Sequence, residues 1–297
     1  MKRILTLALA FLFAFSLSIP AYAEALALTD MAGREISLTE PAQRIVALQP
    51  ADCEILFAID AGGLVVGRGE YCNYPAEVLA VPSVQSGFEI NLEQIIALAP
   101  DAVVMPKMGQ REEDAKKLEE AGIAVIVSDA QTIQGVYTAI GLLGRLTGRE
   151  EQAGRLAEEM RESFAQITQK AQDYKGGSVY FETSPLEQGL WTTGADTFMD
   201  EIAGMLNLTN IFSDLKGWQA ISEEQVLSRE PDYIIVIPMY FGTDMTPVEE
   251  VLSRPGWKGM KAVSGGKVFS ADLDAISRPG PRLADAAIEL YNFIYGQ

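Results

Sequence analysis

Asn91-Leu92-Glu93-Gln94-Ile95-Ile96, running on to Pro100-Asp101-Ala102-Val103-Val104, and Ser222-Glu223-Glu224-Gln225-Val226-Leu227, running on to Pro231-Asp232-Tyr233-Ile234-Ile235, are two copies of one pattern. The offset is 131 residues, from Glu93 to Glu224 and again from Pro100 to Pro231. Each copy opens on a capping residue, Asn91 or Ser222, with Gln three places later, which is the capping-box signature of a helix start. Each helix runs about two turns and is broken by Pro-Asp. A β-branched run follows and predicts a buried strand. A Glu stands in the first turn of both helices, where the macrodipole favours an anion. Taken singly, Glu93 and Glu224 are ordinary dipole-complementing carboxylates. Taken together, their spacing predicts equivalent acidic knobs at the same point of two similar lobes.

The chain has 297 residues, 48% of them hydrophobic, which is enough for two cores. Its start has the pattern of an export signal. Lys2-Arg3 supply the positive end, Ile4 to Ile19 is almost wholly apolar, and Ala21-Tyr22-Ala23 is a small-x-small cleavage site. Residues 1–23 are therefore expected to be removed after Ala23. No second long apolar run follows, and no Cys near the cleavage site offers a place for a lipid. The expected product is soluble, without a direct membrane anchor, and periplasmic in a cell with two membranes. Without Lys2 and Arg3 the chain has 21 basic against 41 acidic side chains, a net of −20, which argues against nucleic acid and anionic lipid as partners. There is no His, which excludes a Ser-His-Asp triad, a His zinc site and a His-ligated haem. Cys53 and Cys72 are the only thiols, and they are either a disulfide suited to an oxidising compartment or two unpaired residues.

Ala25 to Leu38 predicts a hairpin turning at Asp30-Met31-Ala32-Gly33. From Arg44 to Thr147, short apolar strands alternate with helices, which predicts parallel pairing and a sheet covered on both faces. Arg149 to Tyr174 differs. It has a single Gly and no Pro, and Leu156, Met160, Phe164 and Ile167 fall at helical spacing. It predicts one helix of roughly 24 residues and about 36 Å. It is either one more surface helix or a rod joining two lobes, and the repeat favours the rod. The expected fold is thus α/β, with two similar lobes, central mainly parallel sheets, and one long rigid helix between them. The expected boundaries are 24–148 for the first lobe, 149–174 for the linker helix and 175–297 for the second lobe. In the second lobe, Trp191 and Trp218 are assigned to Gly-flanked loops, and Ala271 to Pro281 to another loop.

Several ordered motifs carry a family resemblance. They are Asp30-x-x-Gly33-Arg34 leading to Pro41-Ala42-Gln43-Arg44-Ile45-Val46, then Glu70-Tyr71-Cys72-Asn73-Tyr74-Pro75, the Asn91-Leu92-Glu93 helix, and Ser277-Arg278-Pro279-Gly280-Pro281-Arg282. Together they resemble the periplasmic substrate-binding proteins of ABC importers for cobalamin, ferric siderophores and haem, nearest to the cobalamin binders. The resemblance implies a ligand cleft between the lobes and one Glu per lobe, Glu93 and Glu224, docking onto a permease dimer. It implies Tyr71, Trp191 and Trp218 as aromatic ligand contacts, with Asp274 and Arg278 in a loop supplying polar ones. Phe88, Tyr240 and Arg282 are candidates from their loop positions. The sequence departs from the cobalamin pattern where Gly87 and Pro106-Lys107 replace aromatics.

The chemistry so implied is binding by a monomer, with no catalytic residue, resident metal or cofactor. A flat macrocycle buries apolar area against rings at little entropy cost. A ferric siderophore or haem is the alternative cargo, with Tyr71 and Tyr240 as iron-ligating phenols. An exported hydrolase with a carboxylate pair such as Glu182 and Asp274 is the enzyme alternative, but no nucleophile motif accompanies that pair. A surface adhesin is a third class and needs no aromatic-lined cleft.

Overall fold

The computed structural model describes residues 25–87, 89–107, 112–237 and 245–296. It opens with an antiparallel hairpin of β1 (Leu26–Thr29) and β2 (Glu35–Leu38). The Asp30 carboxylate accepts from the N–H groups of Ala32 and Arg34, from the Arg34 guanidinium, and from the N–H of Val127 in the first sheet. The Asp-x-x-Gly-Arg motif is therefore a turn that also ties the hairpin to the lobe behind it. Gly33 supplies the positive φ of 78° that the turn requires.

The first lobe contains β3 (Ile45–Ala47), α1 (Pro50–Ala58), β4 (Val65–Gly69), β5 (Ser83–Val84), α2 (Leu92–Ala97), β6 (Ala102–Met105), α3 (Glu112–Glu120) and β7 (Ala124–Val127). Its five strands are parallel, in the order β5-β4-β3-β6-β7. Then come α4 (Ile133–Thr147) and the long α5 (Glu150–Ala171). The second lobe contains β8 (Gly177–Glu182), β9 (Trp191–Thr193), α6 (Phe198–Met205), β10 (Leu208–Asn210), β11 (Trp218–Ala220), α7 (Glu223–Arg229) and β12 (Tyr233–Val236). It continues with α8 (Pro247–Ser253), α9 (Lys261–Ser264), β13 (Val268–Ser270) and α10 (Leu273–Ser277), and α11 (Leu283–Tyr295) follows. Its main sheet is also parallel, in the order β10-β8-β12-β13.

The two orders superpose as β4-β3-β6-β7 on β10-β8-β12-β13. The repeat seen in the sequence is its most regular part, since β6 begins at 102 and β12 at 233, again 131 residues apart. Ile95 and Val226 are buried at matching positions, while Glu93 and Glu224 are exposed. The Pro-Asp breaks have a common job. Asp101 accepts from the N–H groups of Gln43 and Arg44, and Asp232 from the N–H and hydroxyl of Ser178. Each carboxylate thus caps the start of the neighbouring central strand. The capping boxes differ. Ser222 and Gln225 form both halves, whereas the Gln94 carboxamide accepts from the N–H of Gln85 and leaves Asn91 with one half.

Strand alternation divides each lobe into two layers. Ile45 and Ala47 face a central core, and Val46 and Leu48 an outer one. In the second lobe Val179 and Phe181 face that same central core, and Tyr180 faces a second outer one. The central core is continuous across both lobes because α5 runs through it. Its buried face, Ala153, Ala157, Met160, Phe164, Ile167 and Ala171, repeats every three or four residues, as a 3.6-residue period requires. At 22 residues α5 is about 33 Å long. Two more bonds join the lobes. The N–H of Ile133 at the start of α4 donates to Glu201 on α6, and the N–H of Phe198 donates to the carbonyl of Gln131.

Two expected loops contain structure. The tryptophan segments pair as a two-stranded antiparallel ribbon, β9 with β11. Residues 273–277 form a helical turn capped by Asp272, whose carboxylate accepts from the N–H of Ala275.

Candidate functional site

In parallel sheets, loops beyond the carboxyl ends of the strands collect at one edge, where α/β proteins hold their ligands. Tyr71 follows β4 at that edge, while Asp274 and Arg278 follow β13. Gly69 lets the β4 end approach β3 closely, because a Cβ there would lie 2.2 Å from the carbonyl oxygen of Leu48. Beyond it the chain turns outward and leaves the Tyr71 ring 63% exposed, the most exposed large apolar side chain among those described. Trp191 is 44% exposed on β9. Trp218 is half-buried on β11, edge-on to Phe198 at 6.3 Å. Phe88 and Tyr240 lie outside the described residues.

The structure gathers Asp274, Arg278 and Arg282 with first-lobe residues that the sequence did not single out. One Nη of Arg278 donates to Glu54 Oε1 at 3.0 Å and to Asn73 Oδ1 at 2.7 Å. Its other Nη donates to Asp274 Oδ1 at 2.6 Å and lies 3.5 Å from the carbonyl oxygen of Tyr71. The Asn73 amide donates to the second Asp274 oxygen at 2.8 Å. Arg282 grips Glu54 with two bonds, at 2.9 and 2.7 Å, and stacks 4.2 Å over the Tyr74 ring. The hydrogen-bonded Glu54 carboxylate holds the Arg282 guanidinium above its ordinary pKa. Glu54 stands in the otherwise apolar Cys53-Glu54-Ile55-Leu56 stretch of α1, and that misplaced charge is the signal that could have revealed it.

Cys53 and Cys72 lie side by side in the first lobe as free, buried thiols, and the disulfide weighed above is not present. Each donates to the same Ala47 carbonyl, at 3.7 and 3.8 Å. The hydrogen bond with Cys72 and then burial push the Cys53 thiol well up, away from the thiolate that disulfide exchange requires.

A pocket of about 490 Å³ opens beside β6 and β7, lined by Met105, Pro106, Lys107, Ala115 and Val127. Every residue lining it belongs to the first lobe or its hairpin, so it is not an interlobe cleft. Among the described residues no cluster of His, Cys, Asp or Glu could hold a metal ion, and no helix is long and apolar enough to cross a membrane. Glu93 and Glu224 sit exposed on α2 and α7, away from this cluster in both sequence and layer. The Glu224 backbone N–H, then Ser222, hold the Glu224 carboxyl below its ordinary range.

Two α/β lobes of one strand order, packed on a common rod, with aromatic rings exposed at the strand ends, define a two-lobed solute-binding protein. Residues 45–275 match the model of the periplasmic binding protein family, and the chain belongs to that family. Its members are substrate-binding proteins for transport, not enzymes. An uncharacterized ABC transporter substrate-binding lipoprotein, YvrC of Bacillus subtilis, is 33% identical over 272 residues, 90% of this chain and 84% of that protein. The vitamin B12-binding protein of Pectobacterium carotovorum is 28% identical over 253 residues, 84% of this chain and 87% of that protein. The crystal structure of the periplasmic heme-binding protein HutB of Vibrio cholerae matches with a TM-score of 0.77 at 22% identity, covering 85% of this chain and 99% of that one.

Proposed function

We propose that this protein is the solute-binding component of an ABC importer and that it captures a corrinoid of the cobalamin type between its lobes. The observation that carries the ligand class is the charge balance at the strand ends. Arg278 and Arg282 are neutralised there by Glu54 and Asp274, two cations against two anions. What stays available is aromatic, namely the exposed faces of Tyr71 and Trp191. Such a surface suits a large uncharged macrocycle whose edge amides need few partners, and neither arginine of the cluster is left free for an acidic chelate. The likeness to a vitamin B12-binding protein along most of the chain supports the same ligand.

The wider proposal follows the lobes. Residues 1–23 are the export signal, and the mature protein is a periplasmic monomer divided at 149–174 by the linker helix. Tyr71, Trp191 and Trp218 hold the macrocycle. Glu93 and Glu224 meet the permease dimer, one from each lobe.

Titration calorimetry with cyanocobalamin, haem and a ferric hydroxamate tests the ligand. Saturable cyanocobalamin binding is expected, weakened at least tenfold, about 1.4 kcal/mol, by Tyr71→Ala or Trp218→Ala. The exposed Tyr71 phenol is itself an iron-ligand group, and it favours a ferric siderophore or haem as the second reading. Tight binding of a ferric complex, with no heat from any corrinoid, would reverse the order.

A further inference from the structure

We propose that Glu54 is a positioning residue, the centre of an ionic clasp that sets the spacing between the lobes without help from ligand and holds the Tyr71 loop in place. The five side chains that meet at the strand ends come from opposite ends of the chain. Glu54 and Asn73 belong to the first lobe, while Asp274, Arg278 and Arg282 lie beyond β13 in the last 24 residues. The clasp therefore spans the lobes.

Hydrogen-bond capacity decides what these groups can do. A guanidinium has five N–H donors. Arg278 directs both Nη groups at Glu54, Asn73, Asp274 and the Tyr71 carbonyl, which leaves its Nε–H alone without a place in the clasp. Asp274 has both oxygens engaged, by Arg278 and by Asn73. The expectation that Asp274 and Arg278 reach for the amides of a ligand thus gives way to a different role. They hold the segment 71–73 against the second lobe, and the ligand meets the ring standing on that segment. Glu54 is the keystone because both arginines converge on it and its side chain is only 2% exposed. A buried carboxylate with two bidentate-capable partners stays ordered when ligand is absent, and salt screens it little. Removing it leaves two arginines without their shared anion, a far larger change than losing an exposed pair.

Pulsed electron-spin distance measurement on ligand-free, full-length protein tests the clasp. Nitroxide labels go on cysteines introduced as Glu120→Cys in α3 and Lys258→Cys beyond α8, both exposed positions. The two native thiols are buried, and control labelling of the parent checks that they stay silent. A single narrow distance distribution is expected for the parent. Glu54→Ala is expected to widen or shift it, with Glu54→Asp in between. An unchanged, narrow distribution in a folded Glu54→Ala protein overturns the proposal, because Glu54 then only stabilises the first lobe. Where Glu54→Ala does not fold, Asn73→Ala gives the same test from the exposed side of the cluster, and an unchanged distribution there overturns the proposal equally. The inference rests on the interlobe ligand site proposed above only for the part that concerns Tyr71. Its second readout is a cycle of Glu54→Asp with Tyr71→Ala on cyanocobalamin affinity, where non-additive losses are expected. Strictly additive losses overturn the positioning of Tyr71. Absence of corrinoid binding by the parent refutes the ligand assignment and leaves the distance result standing.

Discussion

Asp52 is the least satisfied side chain of the first lobe. It lies in the first turn of α1, two residues before Glu54, and neither of its oxygens has a hydrogen-bond partner. Burial raises its carboxyl to about 7, against smaller opposing pulls from Ser128 and Gln49. The sign follows from linkage. Below pH 3.8 the folded and unfolded chains both carry the proton, so Asp52 costs nothing. As pH rises from 3.8 to about 7 the unfolded chain ionises while the folded one holds its proton, and stability falls. At about 1.4 kcal/mol per pH unit, a change from pH 5 to pH 8 removes about 3 kcal/mol. Asp52→Asn lacks this proton and is expected to escape the loss. Urea unfolding of both proteins at the two pH values measures it, and parallel behaviour of the two would exclude an uncharged Asp52. The sequence shows Asp52 only as a dipole-favoured acid at a helix start. Its burial, and Ser128 brought beside it from 76 residues along the chain, come from the closed fold, which no local pattern encodes.

The elements of the second lobe are tied together by a buried ion cluster. Arg254 follows α8 and makes two 2.7 Å bonds to Glu182 at the end of β8, with each side chain 1% exposed. Glu250 on α8 adds two more contacts. The guanidinium lies 4.4 Å over the Trp257 ring, whose Nε1–H donates to Glu223 on α7 at 2.9 Å. Burial pulls the Arg254 pKa down, but the two carboxylates leave it raised, and burial raises Glu182 against the pull of Arg254. Glu182→Ala leaves a buried cation short of its anion and is expected to cost about 3–5 kcal/mol. A loss below about 1 kcal/mol in denaturant unfolding would show that water reaches the site. Capped helices such as Ile133–Thr147 and Pro247–Ser253 start where the sequence sets a capping residue, Thr132 or Thr246. The three-residue strands carrying Trp191 and Trp218 are too short to show a period of two, so they passed for loops. Glu182 was weighed as half of a hydrolytic pair, but its bidentate grip on Arg254 marks it as a structural anion of the second lobe.

At the scale of the molecule, the duplicated Glu-Gln helix was the most legible feature because cap, break and strand recur together at one offset. The clasp was not legible, because its residues are more than two hundred positions apart and only the closed fold joins them. The clasp faces the strand ends, and α2 and α7 lie in the outer layers, each bearing an exposed Glu at an equivalent position. Two lobes of one strand order, each with a Glu at the same place, suit a partner that is itself two-fold, since each half then meets the same charge. The shared core along α5 and the clasp both join the lobes, so the two exposed Glu side chains stand on one connected body. Glu93→Ala combined with Glu224→Ala is therefore expected to leave ligand affinity within about twofold, because neither side chain touches the clasp or the exposed rings. It is expected to abolish stimulation of the importer's ATPase, with each single variant intermediate. Charge-assisted contacts between exposed groups also weaken with salt, so wild-type stimulation should fall as ionic strength rises while the residual activity of the double variant should not. Undiminished stimulation by the double variant would sink the docking assignment and turn both residues back into dipole-complementing carboxylates.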